Sequence, residues 1–112
     1  DADRIAAAGI DFAWSDRVDE LVPGSDVIYS DTWISMGEED IREAKLREFE
    51  GFQVTASMLE LAPNAIFMHC LPAHRGEEVT DEVLDGPQSR IWAQAANRLS
   101  SARGVLHFLA TQ

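Results

Sequence analysis

The stretch Ala65-Ile66-Phe67-Met68-His69-Cys70-Leu71-Pro72 decides the fold, because an apolar run passes directly into polar residues. Residues 65–68 have the length and composition of a strand buried in a sheet. Val27-Ile28-Tyr29 is a second run of this kind, and the polar residues 30–32 follow it. Helical patterns alternate with these runs. The sequence therefore predicts an α/β fold with a parallel sheet flanked by helices, whose polar strand ends share the edge where such sheets bind ligands.

The segments around the two strands predict the remaining elements. A helix from Glu38 to near Gly51 is charged almost throughout, which indicates a solvated outer helix, with Ile41, Ala44 and Phe49 placed to touch a core. Further helices are expected over residues 2–8, 16–22, 56–62 and 80–84 and from Gln94 onward, and further short strands over 10–14 and 90–92.

Length and charge exclude several classes of function. The 112 residues are enough for one domain, and 20 acidic against 9 basic residues give a net charge of −11. This charge repels phosphate backbones and anionic lipids, so neither a nucleic acid nor a membrane is an expected partner. The single Cys70 allows no internal disulfide, which favours a reducing, cytoplasmic compartment. The first residue is not Met, so we expect a processed or partial chain.

The residues after the first strand could bind an amino-acid head group. Asp31 offers a carboxylate for an ammonium group and Ser35 offers a hydroxyl. The backbone of Met36-Gly37-Glu38 is expected to begin a helix, whose free N–H groups suit a carboxylate. The alternative is that Asp31 or Ser35 only caps the following helix, which is the usual role of these residue types. Composition leaves both interpretations open.

The second strand end carries His69 and Cys70, which could form a metal-ligand pair or a thiol nucleophile with its base. Adjacent residues on a strand point to opposite faces, which argues against both ideas, and a lone cysteine is more often a small buried apolar residue. His74 and His107 lack the spacing of a metal motif, so no metal site is predicted. Leu71-Pro72 is a candidate cis peptide that would turn the Leu71 carbonyl toward a ligand.

Four motifs resemble one enzyme family. HCLPAHRGEEVTDEVLDGP (69–87) is similar to the signature of the carbamoyltransferases, and DTWISMG (31–37) to that of the ornithine carbamoyltransferases. GFQVTASML (51–59) and NRLSSARGVLHFL (97–109) continue the resemblance in the same order. The resemblance implies that residues 1–112 are the later part of the ornithine-binding domain, a partial doubly wound, Rossmann-like domain. The carbamoyl-phosphate domain, with its Ser-Thr-Arg-Thr-Arg loop, has no counterpart in these residues.

The resemblance also implies roles for individual residues. Asp31, Ser35 and Met36 would hold the α-amino and α-carboxylate groups of ornithine, with Asp31 also near the side-chain amine. Cys70 and the Leu71 carbonyl would lie beside the δ-amine as it attacks. The implied substrate-binding residues are Asp31, Ser35, Met36, Cys70, Leu71 and Arg98, and the implied catalytic residues are Asp31, Cys70 and Arg98.

Arg98 matches the arginine with which the family's second domain reaches carbamoyl phosphate. The sequence departs from the family pattern just before it, because Ala96 stands before Asn97-Arg98 where ornithine enzymes usually carry an acidic residue. This change is expected to weaken the hold on the arginine.

The implied reaction converts carbamoyl phosphate and L-ornithine to L-citrulline and phosphate, in arginine and ornithine metabolism, without a metal or organic cofactor. Because the phosphate loop has no counterpart in these residues, the 112 residues alone are expected to be inactive. Family homotrimers form through the domain that carries this loop, and the last helix normally packs against that domain, so its apolar stripe is expected to be exposed. Two alternatives remain. RLSSARG (98–104) is also similar to putrescine carbamoyltransferases, although these lack the Ser-Met-Gly element that suits a carboxylate. The chain could also be an inactive amino-acid-binding remnant.

Overall fold

Two parallel strands form the centre of the fold in the computed structural model, which describes residues 2–35 and 37–112. Strand β1 spans Val27–Ser30 and strand β2 spans Ile66–His69. Val27 lies opposite Ile66 and Ser30 lies opposite His69. The predicted parallel pairing is therefore confirmed, and the residues that follow the two strands emerge at one edge.

Helices precede, separate and follow the strands, as the alternating pattern predicts. Thr55 begins one of them, because its hydroxyl accepts a hydrogen bond from the Met58 N–H at 3.2 Å, a side-chain cap of the usual kind. The helices are α1 (Ala2–Ala7), α2 (Val18–Leu21), α3 (Arg42–Glu48), α4 (Ala56–Glu60), α5 (Asp81–Leu84) and α6 (Ile91–Ala110), and a 3-10 turn (Glu39–Ile41) leads into α3.

The core forms where β1 and β2 pack against α4, α5 and the first turn of α6. Phe67 at its centre is fully buried, because it lies on the face of β2 that packs against the core, whereas Ile66 and Met68 on the other face are half-buried. The buried apolar residues of this cluster are Ile28, Val54, Met58, Leu59, Ala62, Ala65, Phe67, Val79, Val83, Leu84 and Ile91. The core thus ends immediately below the polar strand ends.

Two predicted strands are wrong. Residues 10–14 are irregular, with Trp14 82% exposed, because no strand of the described residues lies beside them to complete a ladder. Residues 90–92 instead begin α6, and Ile91 is buried as its first residue. The contact with the sheet comes slightly earlier, where Phe67 N–H donates to the Gln88 carbonyl at 2.9 Å and Arg90 N–H donates to the Phe67 carbonyl at 2.8 Å.

Helix α3 is solvated, as predicted, but it begins later and packs less than expected. Its α-helical part starts at Arg42 rather than Glu38, and Ile41 and Ala44 are exposed instead of touching the core. Of the three residues expected to touch the core, Phe49, just after the helix, is half-buried. Gly51 then turns the chain with φ 91°, a conformation that glycine adopts without steric cost.

Helix α6 is the longest described helix, with 20 residues. Its first residue is buried, whereas its apolar residues from Leu99 onward are exposed. The predicted C-terminal helix is confirmed and begins three residues earlier than Gln94. Neither α6 nor any other described helix combines the length and apolar character needed to cross a bilayer.

Candidate active site

Asp31 and Cys70 meet where β1 and β2 end. The Cys70 thiol donates a hydrogen bond to Asp31 Oδ1 at 2.7 Å, and the Thr32 backbone N–H donates to the same oxygen at 2.7 Å. Parallel pairing brings these residues together across 39 positions of sequence. The structure therefore places two of the three expected catalytic residues in direct contact.

This contact shifts both pKa values in directions that keep the proton on sulfur. The hydrogen bond from Cys70, followed by that from the Thr32 N–H, lowers the pKa of Asp31 below its ordinary value. Burial, followed by the hydrogen bond to Asp31, raises the pKa of Cys70. At neutral pH the pair is thus a carboxylate and a thiol, which offers a negative charge to an ammonium group and only a weak sulfur nucleophile.

Leu71 adopts an unusual backbone conformation beside this pair. The Leu71-Pro72 bond is cis, which confirms the prediction, and Leu71 has φ 58°, a left-handed value that is rare outside glycine. The Leu71 N–H donates to His69 Nδ1 at 2.9 Å, which occupies the lone pair of that nitrogen. Cys70 Sγ lies 4.0 Å from the same nitrogen, so the thiol hydrogen is directed to Asp31 rather than to a histidine base.

Helix α6 reaches the site through Gln94 and Arg98. Gln94 accepts a hydrogen bond from the His69 backbone N–H at 3.1 Å and donates one to the Tyr29 hydroxyl at 3.0 Å, which ties the helix to both strands. Arg98 Nη1 donates to the Cys70 carbonyl at 3.5 Å, a long contact for an exposed guanidinium. The ion pairs among the described residues do not include Arg98, in keeping with the Ala96 substitution.

The 31–38 segment lies above the end of β1, and Met36 falls outside the described residues. The Ser35 N–H donates to Glu38 Oε2 at 2.9 Å. Ile41 precedes α3, which has no side-chain cap, so neither Asp31 nor Ser35 caps this helix. The expected helix start at Met36-Gly37-Glu38 is wrong for the described part, because the 3-10 turn begins only at Glu39.

Two of the cavities beside this segment have Ser35 on their walls. One, of about 660 Å³, has Asp31 and Ser35 on its wall above apolar residues that include Ile28 and Met58. The other, of about 390 Å³, lies between Ser35 and Pro72. Ser35 borders both, so a change in this segment alters the shape of both cavities.

The described residues include one group of side chains that could hold a metal ion. Ligand atoms of His74, Glu77 and Glu78 lie within 4.8 Å of one another, a grouping that the sequence did not predict. Each has a partner within the protein. His74 Nδ1 lies 3.0 Å from the Thr32 hydroxyl, Glu77 pairs with Arg42, and Glu78 accepts a hydrogen bond from the His74 N–H at 2.5 Å.

Sequence reasoning missed several residues that build the site. The sequence pattern identifies Gln94 only as the start of a predicted helix. It identifies Lys45 only as one charge of the predicted outer helix. Buried Glu78 lies 3.3 Å from His69 Nε2, a contact that links the turn after β2 to the strand end. A signal existed for Glu38 alone, because Ser35-x-x-Glu38 has the spacing of a capping box.

Known proteins resemble this chain over nearly its whole length. The family model for the aspartate/ornithine carbamoyltransferase Asp/Orn binding domain matches residues 2–109. The ornithine carbamoyltransferase of Caldicellulosiruptor saccharolyticus is 45% identical over 108 residues, 96% of this chain and 35% of that protein. The catabolic ornithine carbamoyltransferase of Halobacterium salinarum is 54% identical over 94 residues, 83% of this chain and 32% of that protein.

Solved structures of ornithine carbamoyltransferases also superpose on this chain. The anabolic ornithine carbamoyltransferase of Campylobacter jejuni superposes with a TM-score of 0.86 at 36% identity, covering 99% of this chain and 37% of that one. The ornithine carbamoyltransferase of Thermus thermophilus superposes with a TM-score of 0.78 at 40% identity, covering 95% of this chain and 34% of that one. The chain therefore spans about a third of the length of these relatives. On this evidence the chain belongs to the aspartate/ornithine carbamoyltransferase family.

Proposed function

We propose that the chain forms the ornithine-binding wall of an ornithine carbamoyltransferase, as the later part of its second domain. The proposed reaction transfers a carbamoyl group from carbamoyl phosphate to L-ornithine, giving L-citrulline, in cytoplasmic arginine and ornithine metabolism. The observation that carries this proposal is the contact of the Asp31 carboxylate with the Cys70 thiol at the shared strand edge. This contact places the ionised Asp31 carboxylate, which can accept hydrogen bonds from an ammonium group, beside the neutral Cys70 thiol.

Substrate would bind with its ammonium groups near Asp31 and its α-amino acid head group along the 31–38 segment. The depressed pKa of Asp31 supports this role, because the carboxylate keeps its negative charge throughout the physiological range. Ser35 and Met36 complete the proposed head-group site. A negative charge at the open edge of a net-acidic chain favours a cationic amino acid over an acidic one.

The chemical step joins the δ-nitrogen of ornithine to the carbamoyl carbon. The δ-ammonium group first loses one proton to solvent, and the neutral amine attacks. The carbon–oxygen bond to phosphate breaks, and phosphate leaves with the electron pair and takes up the second proton that the nitrogen releases. The carbonyls of Cys70 and Leu71 and the Asp31 carboxylate are acceptors that would orient this nitrogen, and Arg98 would stabilise negative charge on the carbamoyl phosphate. Holding two substrates together can supply roughly 7–11 kcal/mol of the barrier, so orientation is the main proposed contribution.

A chimera tests the proposal. Residues 2–109 of this chain would replace the matching segment of the Caldicellulosiruptor saccharolyticus relative, and citrulline formation would be measured. We expect activity in the chimera, and a loss on the order of 100-fold after Asp31→Asn, because a hydrogen bond to a charged group is removed. Asp11→Asn, a matched change in the exposed N-terminal region, is the control. A folded chimera that makes no citrulline would contradict the proposal.

The same chimera separates ornithine from simpler amines. Putrescine has two amines but no carboxylate, so it cannot use a carboxylate-binding head-group site. We expect a clear preference for L-ornithine in the ratio of the two kcat/KM values. A preference for putrescine would assign the chain to an amine carbamoyltransferase instead.

A further inference from the structure

Lys45 is the only lysine of the chain and lies on α3, outside the strand-end cluster. Its ammonium group does not extend freely into solvent, because only 25% of the side chain is exposed. It is directed back toward the 31–38 segment. The proposed function assigns no role to this residue.

The ammonium group of Lys45 holds the segment at two points. Nζ donates to Glu38 Oε2 at 2.6 Å and to the Trp33 carbonyl at 3.3 Å. The same Glu38 oxygen accepts the Ser35 N–H at 2.9 Å. One cation thus fixes a carbonyl on one side of Ser35 and, through a carboxylate, the backbone N–H of Ser35 itself.

A ring contact and a charged hydrogen bond join the 31–38 segment to α3 and to the residue that follows this helix. The rings of Trp33 and Phe49 stack with their centroids 5.1 Å apart, which holds the segment from the same side as Lys45. The hydrogen bond from Lys45, followed by that from the Ser35 N–H, lowers the pKa of Glu38, so the carboxylate that joins them stays ionised near neutral pH. Charge-assisted hydrogen bonds of this kind are shorter and stronger than neutral ones.

We infer that Lys45 is a positioning residue that selects for an α-amino acid head group, because it fixes Ser35 through Glu38 and the Trp33 carbonyl. This inference rests on the proposed function in assigning the head group to the 31–38 segment. Lys45 acts on the shape of the segment and does not itself need to touch substrate. Its loss should therefore weaken ligands that carry the head group more than ligands that lack it.

The test compares two ligands and four forms of the 112-residue chain. Dissociation constants for L-ornithine and for putrescine would be measured by NMR titration with the wild-type chain, Lys45→Met, Lys45→Arg and Arg47→Met. Arg47 lies on the same helix with an exposed side chain, so Arg47→Met is a matched removal of positive charge. Hydrogen exchange of the Ser35 amide would be recorded for each form.

We expect Lys45→Met to weaken L-ornithine binding by about tenfold and to change putrescine binding little, because only the head group is affected. Lys45→Arg should restore L-ornithine binding, and Arg47→Met should match the wild-type chain. Lys45→Met should also speed exchange of the Ser35 amide.

Three results would overturn the inference. They are unchanged ornithine affinity in folded Lys45→Met, an equal loss for both ligands, and an unchanged rate of Ser35 exchange. A wild-type chain that does not bind L-ornithine would refute the proposed function and the head-group selection that depends on it. In that case faster Ser35 exchange in Lys45→Met would still support the structural part, that Lys45 holds the segment.

Discussion

The two halves of α6 are built from one continuous helix but differ in what holds them. In the first half Ile91 is buried, Gln94 bridges both strands and Arg98 reaches the Cys70 carbonyl. In the second half the apolar side chains are more than half exposed, with Leu106 at 66% and Leu109 at 65%. The first half belongs to the site, whereas no described residue covers the apolar side chains of the second half.

The two halves show two roles of apolar residues, one in stabilising the core and one in forming a surface for contact. Burial of Ile91 removes a large side chain from water and anchors the helix to the sheet, which stabilises the fold. In the second half of α6 the exposed stripe consists of Val105, Leu106, Phe108 and Leu109. No packing against the described part of the chain stabilises this stripe, and an apolar surface of this kind marks a contact with another surface. The stability of the first half should therefore be intrinsic, and the behaviour of the second half should depend on what surrounds it.

Truncation of one buried and one exposed residue of α6 gives the largest expected contrast. Ile91→Ala should lower the free energy of unfolding by about 2–5 kcal/mol, because it leaves a cavity in the core. Leu106→Ala should change it by no more than about 0.5 kcal/mol, because the side chain is exposed. Urea unfolding at low protein concentration measures both. Equal losses would show that the two halves are held alike.

Arg98 provides a second contrast, with Arg103, which is also exposed and lies five residues further along α6, as its control. In the chimera, Arg98→Gln should lower citrulline formation on the order of 100-fold, because the positive charge proposed to stabilise the carbamoyl phosphate is lost. Arg103→Gln should leave the rate unchanged, since no hydrogen bond or ion pair joins Arg103 to the described residues of the site. If the two variants have similar rates, the assignment of Arg98 fails.

The exposed stripe predicts self-association of the 112-residue chain. Sedimentation velocity should show a weight-average mass that rises with concentration. The double variant Leu106→Lys and Leu109→Lys should be monomeric, because the apolar side chains that would be buried between copies become charged. A wild-type chain that stays monomeric at all concentrations would argue against this use of the stripe.

The smallest expected effect concerns the reactivity of Cys70. Its raised pKa keeps the thiolate fraction low, so alkylation at pH 8 should be slower than for an unperturbed cysteine thiol. Asp31→Asn should speed the reaction a few-fold, because the carboxylate that helps raise this pKa is gone. Cys70 is the only cysteine, so the rate reports on one site. A slower reaction in Asp31→Asn would contradict the proposed pairing.

The same pairing has a consequence for stability. The pKa of Asp31 is lower in the folded chain than in the unfolded chain, so its stabilising contribution is present above the unfolded value of about 4. That contribution should disappear as the pH falls through the folded pKa. The dependence of unfolding free energy on pH should therefore be weaker in Asp31→Asn over this acidic range.

Local patterns were sufficient for the main framework of the fold. The β-branched and apolar runs before Asp31 and Cys70 predicted both strands, and their parallel pairing predicted that the residues after them would share one edge of the sheet. The pattern failed at residues 10–14 and 90–92, because an apolar run does not reveal whether a neighbouring strand exists to pair with it. Ile91 is buried, but as the first residue of a helix rather than in a strand.

The supporting contacts were less accessible to sequence reasoning. Gln94 and Lys45 act across 25 and 7 residues, to His69 and Glu38. Neither spacing belongs to a recognisable motif, and each side chain has an ordinary role as a polar surface residue. Contacts of this kind depend on the three-dimensional path of the chain, which neither composition nor periodicity specifies.

The binding of L-ornithine to the 112-residue chain tests the central claim most directly. Two-dimensional NMR would follow the backbone amides during titration with L-ornithine. We expect saturable shifts that cluster in residues 31–38 and 69–72 and in the first half of α6, and that vanish in Asp31→Asn. A chain that is folded but shows no shifts, or shows them only at the exposed end of α6, would contradict the central claim.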